Sequence, residues 1–152
     1  MLKLSKLADY ATVIMVTIAT EPARVHNGLE LAARTHVPAP TAAKLLKLLS
    51  KGGLVESLRG AHGGYRLSRT PEHITVAEII GAVEGPIAVT ECSEHHSDCS
   101  IESSCATRAN WRLINKAIRG ALNAVTLAQM AAPALRHESP LRFHPAAQAG
   151  NH

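Results

Sequence analysis

Apolar residues recur at helical spacing over several stretches of this chain, separated by proline and glycine. Leu4, Leu7, Ala11, Ile14 or Met15, and Ile18 follow one another at such steps, which predicts a helix over residues 4–20 with Ser5 as its cap. The β-branched run from Val13 to Ile18 would also suit a strand. Glu21-Pro22 breaks the pattern, and Asn27-Gly28 is a turn or N-cap before a short helix through Leu29, Leu31, Ala32 and Ala33 to about Thr35. Pro38 and Pro40 end that element and begin the next, because proline's missing N–H costs nothing in a first helical turn. The third helix is expected from Pro40 to Lys51, closed by Gly52-Gly53 as a left-handed cap. Leu45, Leu46, Leu48 and Leu49 give it an apolar face, and Lys44, Lys47 and Lys51 a basic one.

Residues 54–58 and 65–67 read as short strands around Arg59-Gly60-Ala61-His62-Gly63-Gly64, whose glycines permit a tight hairpin. Thr75 followed by Glu78 is a capping-box signature for a helix over 75–83, which Gly85-Pro86 stops. The longest helical pattern runs from Thr107 to about Met130. Its apolar stripe is Trp111, Ile114, Ala117 or Ile118, Ala121 or Leu122, and Val125, with Arg112, Asn115, Lys116 and Arg119 mostly off it. From Ala131 onward prolines interrupt a segment without periodicity, expected to be a disordered tail.

Two short helices joined through His36-Val37-Pro38 make a helix-turn-helix, and a hairpin directly after it makes a wing. The expected fold is therefore mainly α with a small β wing. A winged helix-turn-helix DNA-binding domain spans 1–84, a cysteine-rich loop 85–108, a dimerisation helix 109–130, and the tail 131–152. The second helix of such a unit enters a major groove, so Thr41 and Lys44 are expected at bases or phosphates and Lys47 at the backbone or solvent. Arg59 at the wing tip is expected in a minor groove, with His62 beside it. A long striped helix with no second bundle to bury it suggests pairing with its twin, giving a homodimer on an operator of two half-sites.

The chain has 152 residues, 46% of them hydrophobic, enough for one core with an appendage. A formal net charge of +4 permits a polyanionic partner such as double-stranded DNA. No apolar run approaches a membrane span and no secretory signal is visible, so a cytoplasmic location is expected. No nucleophile–base pair and no βαβ pattern point to an enzyme.

All three cysteines, Cys92, Cys99 and Cys105, fall in the polar stretch TECSEHHSDCSIESSCATR. Six and then five residues separate them, which is not the paired knuckle of common zinc sites, and an odd count argues against a closed disulfide framework. Soft thiolates this close together suggest a metal or an iron–sulfur cluster. Two alternatives stay open: a zinc site completed by His95 or His96, and a metal-free redox thiol.

The order of these parts resembles the iron–sulfur-cluster-dependent winged-helix regulators, a family that includes the Isc and Suf assembly-operon regulators and the nitric-oxide-sensing repressor. The likeness rests on LSKLADYA, LLKLLSKGGLVESLRGAHGGYRLSR, VAEIIGAVEG, the cysteine triplet, ANWRLIN and VTLAQM, and covers residues 1–130. LADYATV and EGPIAVTEC look most like the Suf-operon branch. The resemblance implies a homodimeric regulator, a repressor of cluster-assembly genes, holding a 2Fe–2S or 4Fe–4S cluster on Cys92, Cys99 and Cys105 and one further ligand. Where the Isc-type regulator has a ligating histidine this chain has Arg108, which stays protonated and cannot ligate. Asp9 matches the aspartate that the nitric-oxide sensor uses, and His95 and His96 are local alternatives.

Overall fold

A computed structural model describes residues 3–90 and 105–133. The elements are α1 (Lys6–Ala19), α2 (Gly28–Thr35), α3 (Ala39–Lys51), β1 (Val55–Leu58), β2 (Gly64–Leu67), a 3-10 turn at Pro71–His73, α4 (Val76–Glu84), α5 (Arg108–Ala124) and α6 (Leu127–Ala131). The architecture is mainly α-helical, with one two-stranded antiparallel sheet as the wing.

In α1 the helical period prevails over β-branching, because it places Ala8, Ala11, Ile14, Met15, Ile18 and Ala19 on one buried face. The Ser5 hydroxyl accepts the Ala8 N–H at 3.1 Å and caps the start. Helix α2 is capped by the Asn27 carboxamide, which accepts the Leu29 N–H at 2.8 Å. Helix α3 buries Ala42, Leu45, Leu46 and Leu49 and ends through Gly52 and Gly53, the latter left-handed at φ 75°. These faces meet in a core of Ile14, Met15, Ile18, Leu31, Leu45, Leu46, Leu49, Leu54, Ile74 and Ile79, assembled almost wholly from aliphatic side chains.

The single helix expected over 107–130 is two helices. The chain leaves helical geometry at Val125 (φ −99°, ψ 120°) and pairs as an extended segment with the start of α4. There the Val76 N–H donates to the Val125 carbonyl at 3.0 Å and the Leu127 N–H to that of Ile74 at 2.8 Å. Thr126 then caps α6 in a box with Gln129, the local hydroxyl competing with the helix as threonine does at N-caps. Leu127 is fully buried in the core that α1 anchors, so α6 belongs with the winged domain. Among the described residues, no helix is long and apolar enough to cross a membrane.

The predicted capping box of α4 is complete: Thr75 accepts the Glu78 N–H at 3.2 Å and the Glu78 carboxylate accepts the Thr75 N–H at 2.9 Å. Arg69 reaches the same carboxylate at 3.0 Å. Partial burial alone would raise the pKa of Glu78, but the Thr75 backbone bond and Arg69 outweigh it and hold the carboxyl below its ordinary range. A folded pKa below the unfolded one adds stability above the unfolded value and loses it as pH falls through the folded one. Glu78→Gln is therefore expected to lower the melting temperature at neutral pH and to converge on the parent protein below pH about 4. Parallel melting curves from neutral to acid pH would show that the pair contributes nothing.

Candidate nucleic-acid interface and cysteine site

The helix-turn-helix is set by its turn. His36 ends α2 in the left-handed region (φ 57°), the Thr35 hydroxyl donates to the Leu31 carbonyl at 2.6 Å, and Val37 is buried beneath. Pro38 then starts α3, whose outward side carries Ala39, Pro40, Ala43, Lys44, Lys47 and Lys51, while Thr41 is half-buried.

The wing pairs Val55 with Leu67 through Leu58 with Gly64, leaving Arg59 and His62 exposed in the tip loop. A two-stranded hairpin is marginal alone, and here a third extended segment supports it. His26 is completely buried just before α2. Its N–H donates to the Tyr65 carbonyl at 2.7 Å, the Tyr65 N–H returns to the His26 carbonyl at 2.8 Å, and its Nε2 lies 3.2 Å from the Glu21 carbonyl oxygen. A Cβ on Gly64 would collide with the His26 carbonyl oxygen, and Gly64 has φ 155°, so the bridge and the glycine require each other. His26 escapes sequence reading because its partner is brought to it only by the hairpin.

The charges divide by location. Arg24 and Arg34 bind Glu21 and Glu30, Arg66 binds Glu56 across the wing strands, and Arg69 binds Glu78. Lys44, Lys47, Lys51 and Arg59 have no carboxylate within ion-pair distance among the described residues. Helix α3 and the wing tip thus present unneutralised cations, the electrostatic footprint of a polyanion site.

Of the cysteines only Cys105 lies within the described residues; Cys92, Cys99, His95 and His96 lie outside them. Cys105 is half-buried at the approach to α5, its Sγ 3.4 Å from the Thr107 hydroxyl. The Thr107 hydroxyl first, then the Thr107 backbone N–H, and behind them Arg108 hold this thiol below its ordinary pKa, favouring thiolate. Asp9 is exposed in the first turn of α1, in a shallow depression with Lys3, Leu4, Ser5 and Lys6. Among the described residues no three His, Cys, Asp or Glu side chains gather closely enough to hold a metal ion.

Helix α5 has two faces. Ile118 lines a cleft with Ile80 and Ile87, and Leu122 and Val125 pack on the Ala8–Val76–Ile80 cluster. Trp111, Leu113 (68% exposed) and Ile114 face outward. Between these faces Asn115, which the stripe leaves out, is buried, and its Oδ1 accepts the Val89 N–H at 3.2 Å. An asparagine in a helix is ordinarily solvent-exposed, so its sequence neighbours carry no sign of this role.

With this geometry in view, the comparisons are decisive about family. The model for Rrf2, described as iron-dependent transcriptional regulator, matches residues 4–133. This chain belongs to the Rrf2 family. It is 32% identical over 130 residues to Protein rrf2 of Nitratidesulfovibrio vulgaris strain Hildenborough, covering 85% of this chain and 87% of that one. Among solved structures it resembles CymR (YrzC), the global cysteine regulator of B. subtilis, with a TM-score of 0.68 and 32% identity over 86% of this chain and 97% of that one. IscR of T. potens gives 0.65 and 33% over 85% of each. The Rrf2-family protein is thus a DNA-binding transcriptional regulator and not an enzyme.

The wing bridge gives a paired expectation. Gly64→Ala should cost about 1–3 kcal/mol of stability through the displaced bridge, whereas Gly81→Ala, inside α4 with open space around it, should add about 0.5–1 kcal/mol. Chemical denaturation of both variants measures this. A neutral Gly64→Ala would mean that the wing does not depend on His26.

Proposed function

We propose that this protein is a homodimeric transcription regulator that binds an operator of two half-sites and whose affinity for that operator is set by the thiolates Cys92, Cys99 and Cys105. The observation that carries the DNA assignment is the unneutralised set Lys44, Lys47, Lys51 and Arg59 on α3 and the wing tip. Thr41 is assigned to bases or phosphates beside Lys44, and His62 to the wing contact beside Arg59. The outward Trp111, Leu113 and Ile114 of α5 support pairing with a second copy, since a lone helix would not leave such a strip in water.

The chain's own geometry best supports thiol-based control, metal-free or zinc-stabilised. Cys105 is accessible, biased toward thiolate, and stands at the head of α5, while Val89, three residues before Cys92, is bound to Asn115 of the same helix. A disulfide from Cys92 or Cys99 to Cys105, formed by an external oxidant, or a metal held by all three, closes the chain between two points of α5. It thereby acts on the separation of two recognition helices that must match half-sites spaced by helical turns. The shift is limited to the ligand's preference for one arrangement.

A second reading places a 2Fe–2S or 4Fe–4S cluster on the three cysteines with Asp9, or His95 or His96, as the fourth ligand, and cluster-assembly genes of the Suf type under repression. The iron-dependent description of the Rrf2 model and the likeness to IscR support it. Of this donor set, Cys105, held toward the thiolate, and Asp9, without an ion pair among the described residues, have the chemistry of ligands, while Cys92, Cys99, His95 and His96 lie outside the described residues. When bound, such a cluster would supply an oxidant-labile centre whose loss frees the cysteines.

Iron, acid-labile sulfide and zinc per chain, measured on protein purified without oxygen, separate these readings. Matched iron and sulfide near two or four identify a cluster. Zinc near one without sulfide identifies a structural site, and neither metal, with DNA binding reversed by oxidant and restored by reductant, identifies a thiol switch. Cys105→Ser that binds and responds like the parent would remove Cys105 from control. For the DNA face, Lys44→Ala should weaken binding and flatten the salt dependence by about one unit of log–log slope per lysine. An unchanged slope would remove Lys44 from the phosphate contacts.

A further inference from the structure

Base pairs are told apart in a major groove by side chains offering paired hydrogen bonds, Arg or Lys to guanine, Asn or Gln to adenine, Asp or Glu to cytosine, and by apolar groups against the thymine methyl. Of the first kind, helix α3 offers lysines alone. From Ala39 to Lys51 it contains no Arg, Asn, Gln, Asp, Glu or His. The N-terminal part of a recognition helix is the part that reaches base edges, and here that part exposes Ala39, Pro40 and Ala43 ahead of Lys44 and Lys47.

Leu29 continues this apolar strip. It is 73% exposed on the first turn of α2, and with Ala39, Ala43 and Tyr65 it borders a cleft of about 240 Å³ between α2, α3 and β2. Lys44 and Lys47 follow the strip along α3 without an ion pair among the described residues, and the wing borders the same cleft through Tyr65 of β2. An apolar strip inside a polyanion-binding face is complementary to the apolar feature of the major groove, the thymine C5 methyl.

We infer that this protein specifies its operator through thymine methyl groups seated on Ala39, Pro40, Ala43 and Leu29, with the α3 lysines the only side chains of that helix suited to guanine. The inference rests on the DNA-binding reading above and adds the class of sequence it recognises. Half-sites are then fixed by positions of T in A·T pairs, and Arg59 in a neighbouring minor groove favours the narrow A·T geometry there.

The test uses the full chain and a pool of duplexes with a randomised core. Enriched duplexes are resynthesised with uracil for thymine at single positions, which removes a methyl group and leaves every hydrogen bond in place. At least one position per half-site should lose about fourfold in affinity, the equivalent of one buried methyl. Ala43→Gln, which adds the missing amide on an exposed helical site, should move the enriched base at the contacted position toward adenine. Uracil duplexes that bind within error of the parent at every position, or half-sites lost instead on 7-deazaguanine substitution, would overturn the inference and leave DNA binding intact. A pool with no enriched sequence would overturn both.

Discussion

One pair of backbone hydrogen bonds, between buried His26 and Tyr65, holds the functional half of this molecule in register. The wing has only two strands of four residues, too little to persist unaided. By adding one bridged residue from the segment before α2, the His26–Tyr65 pair ties the wing to the helix-turn-helix at the point where α2 begins. The position of Arg59 relative to Lys44 and Lys47 follows from it. Gly64 is what the bridge demands of the sequence, since any side chain there would meet the His26 carbonyl.

Much of the fold could be read from the residues alone. Ser5, Asn27 and the Thr75–Glu78 pair mark helix starts by local chemistry, and each caps as its type dictates. The turn at His36–Pro38 and the hairpin were equally legible, because their signals are confined to neighbouring residues. What failed was long-range. Leu127 and Met130 continue the helical spacing of α5, so the break at Val125 is invisible until the segment finds its partner at Ile74–Val76. His26 and Asn115 escaped for the same reason, their roles depending on Tyr65 and Val89. The lysines of α3 and Arg59 are exposed, and Thr41 is half-buried. Cys92, Cys99, His95 and His96 lie outside the described residues, and Asp9 stands exposed with no ligating cluster around it among the described residues.

Helix α5 is bound at its middle and at its C-terminal end to the domain it follows. Its last turn leads into the Thr126 cap and the buried Leu127, and its middle accepts Val89 through Asn115. Only its outward strip is left for a partner copy. A change at the cysteines therefore cannot move α5 freely; it acts through the Val89–Asn115 contact and through Cys105. The likeness to CymR and to IscR is nearly equal in TM-score, 0.68 and 0.65. A shared fold does not settle what the thiolates hold, which is a property of the site.

Hydrogen exchange of the full chain with and without an enriched duplex tests the central claim most directly: α3 and the bridged wing act as one DNA-facing surface. The account predicts slowed exchange at residues 39–47 and 59–65 together, including the Tyr65 amide that closes the bridge. Protection of α3 with an unchanged wing, or protection confined to other elements, would contradict it.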